Sequence, residues 1–117
     1  MNLEQFREYC IQKPHVTEHF PFDNETLVFK VSGKIFALVN INSFQFVNLK
    51  CDPERSIELR EQYDAIRAAY RMNKKHWNSV SVYSGLENKL FLELVDHSYN
   101  LIFQSLPNKR RDELALG

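Results

Sequence analysis

The alternation of apolar and polar residues in the first half of the chain is typical of β-strands. Two runs, residues 26–31 and 44–51, alternate with a period of two, and the run at 34–40 between them is apolar on both faces. Ser32-Gly33 separates the first two runs and suits a tight hairpin turn. The pattern therefore predicts an antiparallel meander with a buried central strand.

Helical periodicity predicts three helices. Apolar residues recur at helical spacing in residues 3–12, and Asp52-Pro53 supplies a cap and a first helical residue for a second helix at 53–62. A longer helix of about 18 residues, with a broad apolar face, follows an apparent capping box at Ser84–Glu87 and ends before Pro107.

The remaining segments give weaker signals. Residues 16–22 suit a connector or a short edge strand, and residues 77–83 alternate as a last strand would. Residues 63–72 have helical propensity, so we expect a short helix or a turn there. In the second helix, Ile57 and Leu59 are expected to face the protein.

These elements together predict one α+β domain. The order is α-β-β-β-α-β-α, with an added strand near residues 17–22 as an option, which implies a two-layer sandwich with an antiparallel sheet and helices packed on one face. A chain of 117 residues suits a single domain. We place that domain at residues 1–107 and expect 108–117, with its mixed charges, to be a flexible tail.

The net charge is zero but is unevenly distributed. Residues 26–51 contain three lysines and no acid, and residues 65–86 contain two arginines and two lysines and no acid. A neutral total argues against a protein that coats nucleic acid, yet it leaves room for a local basic surface. With no run of about 20 apolar residues and no signal peptide at the N-terminus, we expect a cytoplasmic protein.

The sequence predicts no catalytic residue, no metal ligand set and no cofactor. Its four histidines form no HExxH motif, and Cys10 and Cys51 lie far apart without neighbouring ligands, so both are expected to be buried thiols. Three glycines leave no phosphate-cradling loop. Asp96, His97 and Ser98 are consecutive on a predicted helix, so their side chains cannot converge.

The densest polar chemistry lies between Tyr70 and Val80, around the only tryptophan, Trp77. One interpretation is a solvated loop whose lysines pair with acids of the second helix, while Trp77 and Val80 enter the core. The other is a phosphate-binding loop beside an aromatic residue. Its donors would be Arg71, Asn73, Lys74, Lys75 and His76.

Several strings resemble one family across nearly the whole chain: Glu18-His19-Phe20-Pro21-Phe22, Asn48-Leu49-Lys50-Cys51-Asp52-Pro53-Glu54, Met72-Asn73-Lys74-Lys75-His76-Trp77-Asn78 and Asp96-His97-Ser98-Tyr99. They resemble the MmcQ/YjbR-like proteins, small bacterial domains similar in fold to CyaY and frataxin and described as "double-wing" DNA-binding proteins. The resemblance implies a CyaY-like sandwich and a non-enzymatic DNA-binding role. The positions that match its motifs are Lys50, Asn73, Lys74, Lys75, His76 and Trp77.

We therefore predict binding of double-stranded DNA, with no membrane contact and no cofactor. The hairpin lysines Lys30 and Lys34 would contact phosphates together with Lys50, Arg71, Lys74 and Lys75, while His76 or Asn73 would touch a groove of the DNA. One alternative is a protein-interaction or small-ligand module lined by Tyr70, Asn73, His76 and Trp77. A second, iron binding by fold analogy, would need an acidic ridge on the first helix, where only Glu4 and Glu8 flank Arg7.

Overall fold

The computed structural model describes residues 1–70 and 72–116. In these ranges the elements are α1 (Leu3–Ile11), β1 (Val16–His19), β2 (Thr26–Val31), β3 (Lys34–Asn40), β4 (Phe46–Lys50), α2 (Pro53–Gln62), β5 (Ile66–Ala68), β6 (Trp77–Ser81), α3 (Asn88–Gln104) and α4 (Asn108–Leu116).

Within the described residues, the six strands form one antiparallel sheet in the order β1-β2-β3-β4-β6-β5. The β2–β3 hairpin turns at Ser32 and Gly33, whose φ angles of 50° and 81° fit a two-residue hairpin loop. Strand β6 pairs with β4 in a register that sets Trp77 opposite Lys50. The segment after the second helix is thereby placed beside the meander.

The apolar core lies between the helices and one face of this sheet. Phe6 of α1 is fully buried, and its ring centroid lies 5.7 Å from that of Phe29 in β2 and 5.9 Å from that of Phe91 in α3. One buried residue thus joins both layers, and the predicted α+β two-layer sandwich, with helices on one sheet face, is confirmed.

Ser98 fixes α3 on the sheet through the backbone of two strands. Its buried hydroxyl donates to the carbonyl oxygen of Phe36 at 2.6 Å and accepts the N–H of Lys50 at 2.9 Å. The helix therefore packs at a set height against β3 and β4, near the end of the sheet where β4 finishes.

Two sequence predictions about elements were wrong. Residues 66–68 form an edge strand rather than a helix or turn, because pairing with β6 outweighs the helical propensity of the alanines around it. The capping box at Ser84–Glu87 is absent among the described contacts: α3 begins at Asn88, and the Ser84 hydroxyl instead bonds the Ser81 hydroxyl at 2.6 Å.

The structure also differs from two further expectations, about the buried face of α2 and about residues 108–116. Ile57 is 58% exposed, and Ser56 is buried together with Leu59, because positions 57 and 59 are about 200° apart around a helix. Residues 108–116, expected to be a tail, form α4, which has no buried residue. Its mobility is a separate property and stays a prediction.

Candidate nucleic-acid interface

The sheet has a second face on which none of the described helices packs, and we call it the open face. Strand positions that alternate with the core positions point to it. They are Thr17, His19, Thr26, Val28, Lys30, Ile35, Leu38, Asn40, Phe46, Asn48, Lys50, Arg67, Trp77, Ser79 and Ser81. The cations Lys30, Lys50 and Arg67 are among these positions, and no acid is.

The strand register also gathers five of the predicted lysines at one end of the sheet, which we call the basic end. Lys30 and Lys34 flank the β2–β3 turn, Lys50 closes β4, and Lys74 and Lys75 lie in the turn that precedes β6. Adjacent strands are about 4.8 Å apart, so Lys30 and Lys50 are separated by about 10 Å across the sheet. Their side chains can therefore contact different phosphates of one bound nucleic acid.

The opposite end of the sheet is acidic. Asp23 and Glu25 precede β2, while Asp64 precedes β5 and Glu87 precedes α3. The Asp23 carboxylate accepts the backbone N–H groups of Glu25 at 2.9 Å and Thr26 at 2.7 Å, and these hydrogen bonds lower its pKa. The separation of charge along the sheet is partial, because the exposed acids Asp52 and Glu54 follow β4 at the basic end.

The turn before β6 is built around Asn73. Its side-chain oxygen accepts the N–H of Lys75 at 2.9 Å, and its backbone carbonyl accepts the N–H groups of His76 and Trp77 at 3.1 and 2.9 Å. This is a local turn that an Asn side chain favours. In this turn Lys74 and Lys75 are exposed, and the side-chain oxygen of Asn73 is already occupied by a hydrogen bond.

Arg60 of α2 holds this turn from the helical side. Its guanidinium donates to the carbonyl oxygens of Lys74 and Trp77 and, at 2.7 Å, to the buried side-chain oxygen of Asn78. Among the described contacts, the lysines of the turn form no ion pair with acids of α2, which was the alternative the sequence left open. The second helix supports the turn through an arginine.

Val80 enters the core as predicted, whereas Trp77 does not. Trp77 is half-buried on the open face beside Lys50, and Val80 is 1% exposed in the core. His76 is half-buried, and its carbonyl accepts the N–H of Cys51 at 2.8 Å. Arg71, the remaining predicted phosphate contact, lies outside the described residues.

The sequence interpretation missed a groove on the open face. A cavity of about 600 Å³ is lined by residues of β2, β3, β4, β5 and β6 and by Tyr70 and Lys74. At its edge the guanidinium carbon of Arg67 lies 4.2 Å from the ring centroid of Phe46. Both residues were visible in the sequence, but their meeting depends on the strand β5 that the sequence did not predict.

Two other polar contacts join the helices to one another. His97 accepts the N–H of Asp52 through Nε2 at 3.1 Å, and its pKa is lowered by burial and then by the charge of Arg55. The hydroxyl of Tyr9 donates to Asp96 at 2.7 Å, and burial together with this bond raises the pKa of Tyr9 to about 12. In residues 1–70 and 72–116 no three His, Cys, Asp or Glu side chains are grouped to hold a metal.

Fold and surface define a class: a small α+β sandwich of the CyaY-like type, with a sheet face on which none of the described helices packs and whose strand positions carry no acid. The sequence profile of the YjbR family matches residues 11–101. The chain belongs to the YjbR family.

Two Escherichia coli relatives extend the match over nearly the whole length. The chain is 36% identical to protein YbdF of strain O157:H7, over 97% of this chain and 94% of that protein. It is 30% identical to protein YjbR of strain K12, over 98% of each. Both relatives are described as uncharacterized, so they support the family assignment but indicate no biochemical activity.

Solved structures show the same fold. The crystal structure of the Deinococcus radiodurans protein DR2400, a DUF419 domain, is 37% identical and superposes with a TM-score of 0.93 over 97% of this chain and 88% of that one. A Pseudomonas syringae protein is 30% identical, with a TM-score of 0.73 over 87% of this chain and 99% of that one. None of the described helices is both long and apolar enough to cross a membrane.

Proposed function

We propose that this protein binds double-stranded DNA through the basic end and the open face of its sheet. The observation that carries the proposal is the charge of that surface. The open face contributes Lys30, Lys50 and Arg67 without any acid at its strand positions, and Lys74 and Lys75 adjoin it. Clustered cations bind DNA by displacing the counterions of the phosphates.

Phosphate contacts supply most of the binding in this proposal. Lys30, Lys34, Lys50, Lys74 and Lys75 lie along the basic end, and Arg71 belongs to the same segment of the sequence. Such contacts position a protein on DNA and carry little sequence information. A ligand of this kind also fits the cytoplasmic location that the sequence predicts.

His76 is the remaining candidate for a base contact. The side-chain oxygen of Asn73 is already held by the N–H of Lys75, so His76 is better placed than Asn73 to reach a groove of the DNA. We therefore expect modest sequence preference on top of strong phosphate binding.

Fluorescence anisotropy of a labelled duplex across a salt series tests the proposal. If five lysines each contact one phosphate, the logarithm of affinity falls with the logarithm of salt with a slope of about −4 to −5. Lys50→Ala and Lys30→Ala should each weaken binding and reduce the slope by about 1.

Lys89→Ala is the matched control, because exposed Lys89 lies on α3 in a cleft with Asp64, at the acidic end. It should leave both the affinity and the slope unchanged. Absence of duplex binding at low salt would contradict the proposal.

The open-face groove favours a second candidate, a small-ligand or protein-interaction module. Of the four residues that the sequence assigned to such a site, Tyr70 lines the groove; Asn73, His76 and Trp77 are not among its described lining residues, whereas Lys74 is. A thermal-shift screen with small anions tests this candidate. A shift that Arg67→Ala abolishes, without DNA binding, would favour it over the DNA proposal.

A further inference from the structure

The groove on the open face differs from the basic end because it offers more than charge. Its volume of about 600 Å³ falls within the range of about 300–1,000 Å³ that is usual for ligand sites. The lining includes Leu38, Phe46, Asn48, Arg67, Tyr70 and Lys74. Apolar, aromatic, amide and cationic groups thus converge on one concave surface.

Arg67 and Phe46 form a stacking platform in this groove. The guanidinium carbon lies 4.2 Å from the centroid of the Phe46 ring, and Arg67 is an exposed residue. In the part of the chain that the structure describes, no carboxylate pairs with Arg67. An exposed guanidinium close to an aromatic ring offers a planar surface on which a nucleobase can stack.

The side-chain amide of Asn48, on the neighbouring strand β4, can form hydrogen bonds with the edge of such a base. The side-chain oxygen of Asn48 accepts the Ser79 hydroxyl at 2.5 Å, which fixes the amide. Its nitrogen then points to the sulfur of Met72 at 3.5 Å, a weak acceptor that a base oxygen or nitrogen can replace. The groove therefore has a polar donor beside its stacking platform.

The charges around the groove determine on which side the phosphates of a bound strand would lie. Lys74 lines it on the side of the basic end, whereas Asp23 and Glu25 lie beyond Thr26 at the other end. The phosphates of a ligand in this groove would lie towards Lys74 and Lys50. A base in a duplex is paired and stacked, so only an unpaired base can enter a groove on a protein surface.

We propose that the open-face groove binds the unpaired bases of single-stranded DNA, with Arg67 and Phe46 as the stacking platform. This inference rests on the proposed nucleic-acid function and adds single-stranded DNA to the duplex as a ligand of the same face. The lysines of the basic end would track the sugar–phosphate backbone, in the way that basic grooves with aromatic platforms bind single strands.

The test separates the contribution of the bases from that of the phosphates. Anisotropy is measured with an oligothymidylate of about 12 nucleotides, with an abasic oligomer that carries the same number of phosphates, and with a duplex of equal length. We expect the base-bearing strand to bind at least about tenfold more tightly than the abasic strand, and more tightly than the duplex.

Arg67→Lys is the matched variant, because lysine keeps the charge and loses the planar stacking surface. It should lose most of the preference for the base-bearing strand, so its affinities for the base-bearing and abasic strands should converge. Phe46→Ala should lose the same preference, whereas Lys50→Ala should weaken both strands equally.

Each other outcome has a distinct meaning. Equal binding of the base-bearing and abasic strands overturns the inference, and duplex binding in the same assay then leaves the proposed function standing. If neither the duplex nor the single strands bind, the proposed function falls and the inference falls with it. Equally tight binding of thymidine monophosphate, or equal competition by an oligoglutamate peptide, overturns the single-strand assignment.

Discussion

At the scale of single residues, the packing of the domain depends strongly on Phe6. Its ring is completely buried and lies within about 6 Å, centroid to centroid, of the rings of Phe29, Phe44 and Phe91. The contacts with Phe29 and Phe91 are edge-to-face, and such contacts add to the free energy gained from burial. The residue therefore couples the first helix to both the sheet and the longest helix.

Phe6→Ala should lower the free energy of unfolding by about 3–5 kcal/mol, because it leaves a cavity that rigid neighbours cannot fill. That is a large part of the stability of a typical domain. Urea denaturation measures it. Phe22→Ala is the matched control: Phe22 is 67% exposed, and a change within about 0.5 kcal/mol is expected. Similar losses in both variants would contradict the assignment.

His97 makes the stability depend on pH. Burial and Arg55 lower its pKa, so the folded protein holds fewer protons at this site than the unfolded chain does. Its stabilising contribution is present above the ordinary histidine pKa of about 6.5 and is lost as the pH falls below that value. Asp23 and Glu18, whose pKa values are also lowered, contribute in a more acidic range.

His97→Gln should therefore lose less stability than the original protein between about pH 7 and about pH 5.5. The glutamine oxygen can still accept the N–H that Asp52 gives to His97, so the contact is preserved in kind. Urea denaturation at the two pH values gives the comparison. An equal loss in both proteins would show that His97 is not the group responsible.

At the scale of elements, the turn that carries Lys74 and Lys75 depends on α2. Arg60 contacts two of its carbonyl oxygens and the buried Asn78, whose amide nitrogen also reaches the Ser56 hydroxyl at 3.3 Å. The turn is thus held by a residue that contacts no ligand in our proposal. Arg60 is a positioning residue.

Arg60→Ala should lower stability by about 1–3 kcal/mol, because it leaves the buried oxygen of Asn78 without its donor. Hydrogen exchange should speed up in residues 73–77. Duplex affinity should fall while the salt slope is retained, since no phosphate contact is lost.

Arg55→Ala, on the same helix, is the matched control for Arg60→Ala. It removes a partly exposed ion pair with Glu93, and we expect at most about 1 kcal/mol and unchanged DNA affinity. A reduced salt slope in Arg60→Ala would instead assign Arg60 a direct phosphate contact.

Some elements could be predicted from the local sequence pattern alone, and others could not. The β2–β3 hairpin was predictable because its turn chemistry and both strands are adjacent in the sequence. Strand β5 was not, since three residues with helical propensity become a strand only when β6 is available to pair with Ile66, Arg67 and Ala68.

At the scale of the whole molecule, α4 adds little to the fold. It has no buried residue; Arg110 Nε donates to the Ser32 hydroxyl at 2.6 Å, and Arg111 Nη1 donates to the side-chain oxygen of Gln104 at 2.7 Å. Segment 108–117 contains three basic side chains against two acidic ones. Its removal therefore leaves the net charge of the protein nearly unchanged.

A chain that ends at Pro107 should fold, with a loss of at most about 1 kcal/mol, and should bind duplex DNA as the full chain does. A chain that ends at Phe103 is the contrasting variant, because it also loses Leu106, which is 4% exposed. It should be clearly less stable in thermal denaturation. Unfolding of the first chain would assign α4 a structural role.

The sequence by itself determined the class of fold, most of the strands and helices, and the two acid-free blocks that supply the predicted lysines. These follow from period, turn residues and caps, all of which act over a few neighbouring positions. Tertiary structure alone decided which of those residues meet. The β4–β6 pairing brings Lys50 to Trp77, and β5 brings Arg67 over Phe46, because contacts between strands distant in sequence depend on sheet order, which local pattern does not encode.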